Sequence, residues 1–370
     1  MPLPALALLT RGLFSNLGHH IAIRNILAPH RMIFITIPDY VYQITVMKLS
    51  PNKKYLLVAE QLYKDSNSLK ELSQNCYLSV YDVKNSDNPK LLKAHINVSE
   101  MAASTGNTAQ APGGEKLHVS GTAGTKDSGF YTNTGSAVAG GAAAMNNTNQ
   151  NTLESQQHKK ITQMSFSETG SCKYVSLIIT DGVDSKVVVL DWISINTKVE
   201  AAMDCPKQII HKATFNPKDD TKLCTTGVNH WKVWKTVDGS FKQMSQLPRM
   251  NQNHHYTEHC WLDKNKLISF TMDGEMYFLI DEDVKKLDQN AFNVDDNISH
   301  VVTIEKFDKG FYIASDQGEM AMWVKSEENN STSGNQLYDF IRRWQPPATK
   351  GHKVLGMSVS SSQEYLAVAF

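Results

Sequence analysis

The chain has 370 residues, 41% of them hydrophobic, and its 37 basic residues equal its 37 acidic residues in number, so the formal net charge is zero. This composition is typical of a globular chain of one or two domains with a large core. The balanced charge argues against a general electrostatic attraction to nucleic acid or to a membrane surface. We therefore expect neither nucleic acid nor membrane among its partners.

The N-terminal part predicts strands rather than a targeting segment. The opening MPLPALALLTRG has a short apolar run, with no basic residue before it, that is too short to span a bilayer. Arg11, Arg24 and Arg31 precede the first acidic residue, Asp39, as in a transit peptide. However, MIFITI and YVYQITV nearby have the composition of strands, and we favour that interpretation.

One sequence pattern recurs along the chain. An apolar strand ends in Phe or a small polar residue, a turn of Ser, Asn, Pro, Asp, Lys or Gly follows, and a second apolar strand begins. The pattern occurs in MKLSPNKKYLLVAEQ from Met47, MSFSETGSCKYVSLIIT from Met164, ATFNPKDDTKLCTTG from Ala213, CWLDKNKLISFTMDG from Cys260, IEKFDKGFYIASDQG from Ile304 and MSVSSSQEYLAVAF from Met357. Such recurrence is typical of repeat folds.

A third strand with an aromatic residue near its end follows each complete unit. These strands are LSVYD with Tyr81, VVVLDW with Trp192, HWKVWK with Trp234, EMYFLID with Phe278 and EMAMWVK with Trp323. The aromatic residues that close the first strands, Phe166, Phe215, Trp261 and Phe307, recur about every 46 to 49 residues. This interval is close to the roughly 40–45 residues of a four-stranded WD40 propeller blade.

The Gly-His dipeptides fit the same repeat. Gly351-His352 stands just before the last unit, where a WD40 repeat commonly has Gly-His, and Gly18-His19 corresponds to it near the start. We expect these histidines to make structural hydrogen bonds inside a blade rather than to bind a ligand.

The sequence therefore predicts an all-β fold, a WD40-type β-propeller whose blades bury both faces against their neighbours. We expect a partial first blade, one interrupted blade, three regular blades ending near Trp234, Phe278 and Trp323, and a last blade cut after its second strand. The ring would then be open and the propeller incomplete, as in a fragment of a longer protein.

Residues 100–157 depart from the pattern. This stretch is rich in Gly, Ala, Ser, Thr and Asn and poor in large apolar residues, so it cannot build a core. We interpret it as a long flexible insertion, either a neutral loop or a dedicated binding segment. The predicted organisation is thus first blades in 1–99, insertion in 100–157 and further blades in 158–370.

The five cysteines predict neither a disulfide framework nor a zinc knuckle. They are odd in number, widely spaced and free of any CxxC pair. A reducing compartment is the better expectation. The cysteines are Cys76, Cys172, Cys205, Cys224 and Cys260.

The sharpest chemical motif is HHYTEHCW, in which His255, Glu258 and His259 match the H-x-x-E-H pattern of inverted zinc proteases. Two histidines four residues apart need a helix to meet at one metal ion. Here the motif runs into CWLDKNKLISF, which matches the turn-and-strand unit, and residues four apart on a strand are about 13 Å apart. A loop leading into a strand is therefore the favoured interpretation, and a zinc hydrolase is the disfavoured alternative.

Other enzyme signatures are missing from the sequence. It has no phosphate-binding loop ending in Lys-Ser or Lys-Thr, no G-x-G-x-x-G and no G-x-S-x-G nucleophile elbow. Acidic groups such as Asp281-Glu282-Asp283 and Asp295-Asp296 lie in polar connections, where solvated loop charge is the simpler explanation. We expect a protein that is not an enzyme, with no catalytic, cofactor-binding or metal-binding residues and no cofactor.

The combination of motifs resembles the first propeller of the cilia- and flagella-associated protein fifty-seven family, a family of axonemal WD-repeat proteins. The resemblance rests on LSPNKKYLLVAE with SVYDV, FNPKDDTKLCTTG with KVWK, EHCWLDKNKLI with DGEMYFLID, and KGFYIAS with GEMAMW. It covers most of the chain outside the insertion. Its most specific parts are residues 215–227 and 259–278.

The resemblance implies a non-enzymatic scaffold of motile cilia that lies on the doublet microtubules and helps to place inner-arm dyneins and regulatory complexes. Its partners would be axonemal dynein or regulatory proteins, with tubulin as a further candidate, and its location the axoneme. The longer family members carry a second propeller and a coiled coil, which this chain lacks. A general cytoplasmic WD40 adaptor of another complex is the alternative function.

Overall fold

Antiparallel β-strands make up nearly all the regular structure. The computed structural model describes residues 6–8, 12–17, 20–25, 32–65, 71–85, 88–104, 158–170, 172–244, 254–281, 283–287, 290–292, 300–326, 337–360 and 362–370. Within these ranges the strands form seven sheets, called blades 1 to 7 in chain order. All of them belong to one unit, Met1–Ala111 with His158–Phe370.

In blades 1 to 6, four strands lie side by side in chain order. Blades 1 and 2 contain β1 (Leu6–Leu8), β2 (Gly12–Leu17), β3 (His20–Asn25), β4 (Met32–Thr36), β5 (Val41–Leu49), β6 (Tyr55–Leu62), β7 (Tyr77–Asp82) and β8 (Lys90–Asn97). Blades 3 and 4 contain β9 (Lys160–Phe166), β10 (Tyr174–Thr180), β11 (Ser185–Asp191), β12 (Lys198–Cys205), β13 (Ile210–Asn216), β14 (Asp219–Gly227), β15 (His230–Val237) and β16 (Ser240–Gln243).

Blades 5 and 6 contain β17 (Tyr256–Asp263), β18 (Lys266–Thr271), β19 (Met276–Ile280), β20 (Asp283–Lys286), β21 (Val301–Phe307), β22 (Gly310–Ser315), β23 (Met320–Lys325) and β24 (Tyr338–Trp344). Blade 7 consists of β25 (Gly356–Val359) and β26 (Leu366–Ala369). A short 3₁₀ helix, Pro347–Thr349, lies between blades 6 and 7.

Each blade packs between two neighbours, and this explains why its middle strands are apolar along their whole length. On β10, Leu177 belongs to the core shared with blade 2, whereas the next residue, Ile178, belongs to the core shared with blade 4. Both side chains are completely buried. Successive residues of a strand point to opposite faces, so a strand covered on both faces must be apolar throughout.

The ring of blades is closed, which corrects the expectation of an open ring. The first strand of each blade contacts the first strand of the next, and β25 of blade 7 contacts β1 of blade 1. The expected count was also too low by one blade. Blade 1 is a full four-stranded sheet, and the predicted interrupted blade is in fact blades 2 and 3, separated in sequence by the insertion.

The predicted third strands are confirmed as β7, β11, β15, β19 and β23. The predicted start of the insertion at residue 100 falls inside a helix, α1 (Val98–Ser104), whose Val98 and Ala102 are buried against blades 2 and 3. Asn97 accepts a hydrogen bond of 3.1 Å from the Glu100 N–H and caps this helix. The rest of the predicted insertion lies outside the described residues. All five cysteines carry free thiols.

Candidate functional site

A cavity of about 320 Å³ lies within the ring of first strands. Side chains from the first strands of blades 2 to 7 line it, because each blade turns that strand towards the others. Apolar Leu49, Phe215 and Ile304 share its wall with lysines and glutamates. Charged groups away from bulk water are costly unless they are paired, so their partners decide what the cavity can do.

Two ion pairs in and beside this cavity join different blades. Lys306 Nζ of β21 lies 3.2 Å from Glu168 Oε2, just after β9, and links blade 6 to blade 3. The Lys212 ammonium of β13 pairs with the Glu258 carboxylate of β17 and links blades 4 and 5. Burial opposes the charge on Lys212, but the Glu258 carboxylate outweighs it and raises the pKa of this lysine. These charges are therefore offset within the ring.

Glu305 of β21 and Lys53, in the turn after β5, face the same cavity. Burial raises the pKa of the Glu305 carboxyl, although Lys48 opposes the shift. Burial lowers the pKa of the Lys53 ammonium, and repulsion by Lys48 lowers it further. Glu305 also accepts a hydrogen bond of 3.3 Å from the N–H of Val359. The contacts come from blades 2, 6 and 7, which is the arrangement of a structural ion network that holds a ring together.

His259 joins blades 4 and 5 through both nitrogens of its ring. Nε2 lies 2.8 Å from the Thr214 hydroxyl of β13, and Nδ1 lies 2.8 Å from the Thr226 hydroxyl of β14. The ring is completely buried. Burial, with Lys212 nearby, lowers the pKa of His259 well below its usual value, so the imidazole is neutral. A neutral imidazole donates through one nitrogen and accepts through the other, which matches two hydroxyl partners.

The three residues of the H-x-x-E-H motif do not converge. His255 Nε2 lies 2.7 Å from His211 Nε2, Glu258 pairs with Lys212, and His259 bonds the two threonines. The motif lies at the start of β17, and an extended chain spreads its residues apart. Across the part of the chain that the structure describes, no three His, Cys, Asp or Glu side chains are grouped to hold a metal ion.

A second buried histidine network stabilises blade 4, and the sequence analysis did not identify it. The Trp234 indole N–H donates to the Thr225 hydroxyl at 2.7 Å, and this hydroxyl lies 2.7 Å from His230 Nε2. Burial lowers the pKa of His230 to about 3 and keeps its ring neutral. The available signal was TTGVNHWKVW, in which a Thr on the second strand faces the His and Trp of the third strand.

The expected structural role of the Gly-His dipeptides is wrong for His352. Its side chain is exposed, and its ring lies 6.0 Å from the ring of Phe370. The sequence placed a hydrogen-bonding histidine before the first strand of the last blade, whereas His230 and His259 do this work from within strands of other blades. Gly18-His19 lies outside the described residues.

Seven antiparallel sheets packed face to face in a ring define a WD40-type β-propeller, a class whose known members are typically scaffolds for other proteins. No model of a protein family matches the chain. A curated relative, Cilia- and flagella-associated protein 57 of Mus musculus, is 25% identical over 121 residues, which is 33% of this chain. That segment is only 9% of the length of the mouse protein.

Two solved structures share the fold. A chain in the crystal structure of the mitotic checkpoint complex superposes with a TM-score of 0.58 at 12% identity, over 99% of this chain and 86% of that chain. The β-propeller domain of Cps50 (Swd1) from Myceliophteria thermophila superposes with a TM-score of 0.51 at 9% identity, over 88% and 79%. At such identities the likeness concerns the fold alone.

The described part of the chain contains no helix with the length and apolar character needed to cross a membrane.

Proposed function

We propose that the chain is a non-enzymatic WD-repeat scaffold of the motile cilium axoneme. Its task would be to hold inner-arm dyneins or regulatory complexes on the doublet microtubules through protein–protein contacts. The observation that carries the proposal is the 25% identity over 121 residues to Cilia- and flagella-associated protein 57 of Mus musculus. Axonemal proteins, with tubulin among the candidates, are the partners that this proposal implies.

The chemistry of the ring supports a scaffold rather than an enzyme. The charged groups of the cavity pair with each other across blades, and the buried histidines bond threonines. A closed ring offers rigid surfaces of loops and strand edges, which suit simultaneous contacts with several proteins. Fold alone does not choose the partner, so the axonemal assignment depends on the sequence match.

Retention on isolated axonemes tests the proposal. The full gene product would be tagged in a ciliated cell, and the axonemes would be extracted with detergent and then with high salt. We expect the tagged protein to remain with the doublets after detergent. An unfused tag expressed in the same cells is the control. Protein that is diffuse in the cytosol and absent from cilia would refute the axonemal assignment.

The second candidate is a general cytoplasmic WD40 adaptor of another complex. The fold it shares with a chain of the mitotic checkpoint complex supports this candidate, because that propeller too is part of an assembly. The same fractionation separates the two. Affinity capture from the soluble fraction would recover a stable complex without axonemal proteins if the adaptor is the correct description.

A further inference from the structure

An apolar groove of about 250 Å³ lies between blades 4 and 5, apart from the central cavity. Val233 and Met244 of blade 4 face Trp261 and Leu279 of blade 5 across it. The Trp261 indole N–H donates to the Thr214 carbonyl at 3.2 Å, which fixes the ring that forms part of the wall. The volume is below the range for sites that enclose whole drug-sized molecules, so the groove suits a single apolar side chain.

A row of lysines extends from this groove across blade 4. Lys222 on β14 is directly opposite Lys235 on β15, and Lys235 is directly opposite Lys242 on β16. Lys222 itself lines the groove. Alternation along the strands puts the three lysines on the same face as Cys224, Val233 and Met244, which form the core shared with blade 5. The row therefore continues the wall of the groove outwards.

Lys264, in the turn between β17 and β18, adds a fourth cation on the blade 5 side of the groove. It is exposed, as are Lys235 and Lys242. These four lysines are called the lysine row with Lys264 below.

Like charges directly opposite each other on neighbouring strands destabilise a sheet. Among the described residues, no carboxylate lies within 4.0 Å of Lys235, Lys242 or Lys264, and Lys222 reaches only Asp219, at 3.9 Å. Asp281 is the one acidic side chain that lines the groove within those ranges. The segment 245–253, which follows Met244 in the sequence, contains no acidic residue.

The contrast with the central cavity is informative. There, Lys306 and Lys212 each have a glutamate partner from another blade. At the groove the cations outnumber the acids, stand in register and face solvent. Charge complementarity therefore favours an anionic partner, and the apolar floor favours one that also brings an apolar side chain.

We propose that the groove between blades 4 and 5 docks an acidic peptide segment of a partner protein. One apolar side chain of the segment enters between Val233 and Leu279, and its flanking carboxylates pair with the lysine row and Lys264. This inference rests on the proposed scaffold function but requires no particular cellular location.

Fluorescence anisotropy with the 370-residue chain tests the docking site. The probe is a fluorescein-labelled synthetic peptide with a central Leu flanked on both sides by Asp and Glu. Two companion probes replace the Leu by Ser, or the acidic residues by Lys. We expect measurable binding of the first probe, at least about tenfold weaker binding of the Ser probe and no binding of the Lys probe.

Charge reversal locates the site. The double variant Lys235→Glu/Lys242→Glu should weaken binding of the first probe about tenfold or more, because it replaces two attractive contacts by two repulsive ones. The matched control is Lys90→Glu/Lys309→Glu, two exposed lysines on blades 2 and 6. The control should bind like the unaltered chain.

A stability measurement keeps the test independent of folding. Lys235→Glu places an acid between two lysines of the row, so the thermal midpoint of the variant should be equal to or above that of the unaltered chain. Loss of binding in a folded variant then reports the site itself.

Three results would overturn the proposal. The Ser probe could bind as tightly as the Leu probe, which would show that the groove is unused. The lysine variants could bind the first probe unchanged. A single-stranded DNA oligonucleotide could compete at the same lysines at equal or lower concentration, which would identify a nucleic-acid surface. None of these results bears on retention in the axoneme, so the two proposals can fail separately.

Discussion

At the scale of single residues, His259 makes the clearest prediction. Replacing it by Leu removes both hydrogen bonds and leaves the Thr214 and Thr226 hydroxyls without their imidazole partner. Each buried polar group left unpaired costs about 1–3 kcal/mol. We therefore expect the thermal midpoint of His259→Leu, measured by differential scanning calorimetry, to fall by about 5 °C or more.

The control for this variant comes from the same motif. His255 contacts His211 in an exposed position, so His255→Leu should shift the midpoint only slightly. If both variants had equal midpoints, the buried bridge between blades 4 and 5 would not contribute to stability.

The buried neutral histidines predict a loss of stability in acid. Burial lowers the pKa of His230 to about 3 and that of His211 to about 4 in the folded chain, whereas an unfolded histidine titrates near its usual value of about 6.5. Below that pH the unfolded state binds more protons than the folded state, so stability falls as the pH falls. The slope is about 1.4 kcal/mol per pH unit for each such histidine, between about pH 6 and pH 4.

The variant His230→Asn tests the sign and the source of this effect. It should flatten the dependence of the unfolding midpoint on pH between pH 6 and pH 4, measured by urea titration. His352→Asn, at an exposed site, should leave the slope unchanged. A slope identical in His230→Asn and the unaltered chain would mean that this histidine titrates normally in the folded state.

At the scale of elements, two glycines with similar backbone angles differ in their surroundings. Gly318 (φ +82°) lies in the turn between β22 and β23, and a Cβ there would stand 2.0 Å from the Thr349 carbonyl oxygen. Gly351 (φ +76°) has open space at that position. Thr349 is buried and donates a hydrogen bond of 2.8 Å to the Gly318 carbonyl, so this turn anchors the connection to blade 7.

This pair separates backbone strain from steric clash. Gly351→Ala should cost only the left-handed strain of about 1–2 kcal/mol. Gly318→Ala adds the clash and should lower the thermal midpoint clearly further, with faster proteolysis of the connection between blades 6 and 7. Equal midpoints for the two variants would show that the turn moves away without cost.

At the scale of the whole molecule, ring closure couples the two ends of the described fold. Blade 7 covers the apolar face of blade 6 that includes Ala314 and Met320, and β25 contacts β1 of blade 1. Removing residues 356–370 would expose that face and an unpaired strand edge. We expect a lower thermal midpoint and oligomers in size-exclusion chromatography with light scattering. A monomer with an unchanged midpoint would show that closure adds nothing.

The insertion makes a second prediction at this scale. We propose that residues 105–157 are flexible and separate from the blades, because their composition cannot form a core. Limited trypsin digestion should then cut first at Lys116 and Lys126, while lysines within the blades are cut later. Mass spectrometry identifies the sites. First cleavage within a blade strand, such as at Lys212, would contradict the proposal.

The sequence by itself determined the class of fold and the position of most strands. Alternating apolar residues and turn residues act locally, so the third strands ending near Trp192, Trp234, Phe278 and Trp323 could be predicted one by one. Local pattern also sufficed to predict that His255, Glu258 and His259 lie on an extended chain. The boundary at residue 100 was missed because α1 depends on Val98 and Ala102 reaching a core made by two other blades.

Only the tertiary structure decided which side chains meet. Ring closure depends on β1 and β25, which are far apart in sequence. The partners of His259 lie about 33 and 45 residues away, and Glu168 pairs with Lys306 from 138 residues away. The lysine row arises from strand register, which no single strand encodes. Contacts between blades depend on how whole sheets pack, and the period of the sequence along one strand carries no information about the residue that faces it from the next blade.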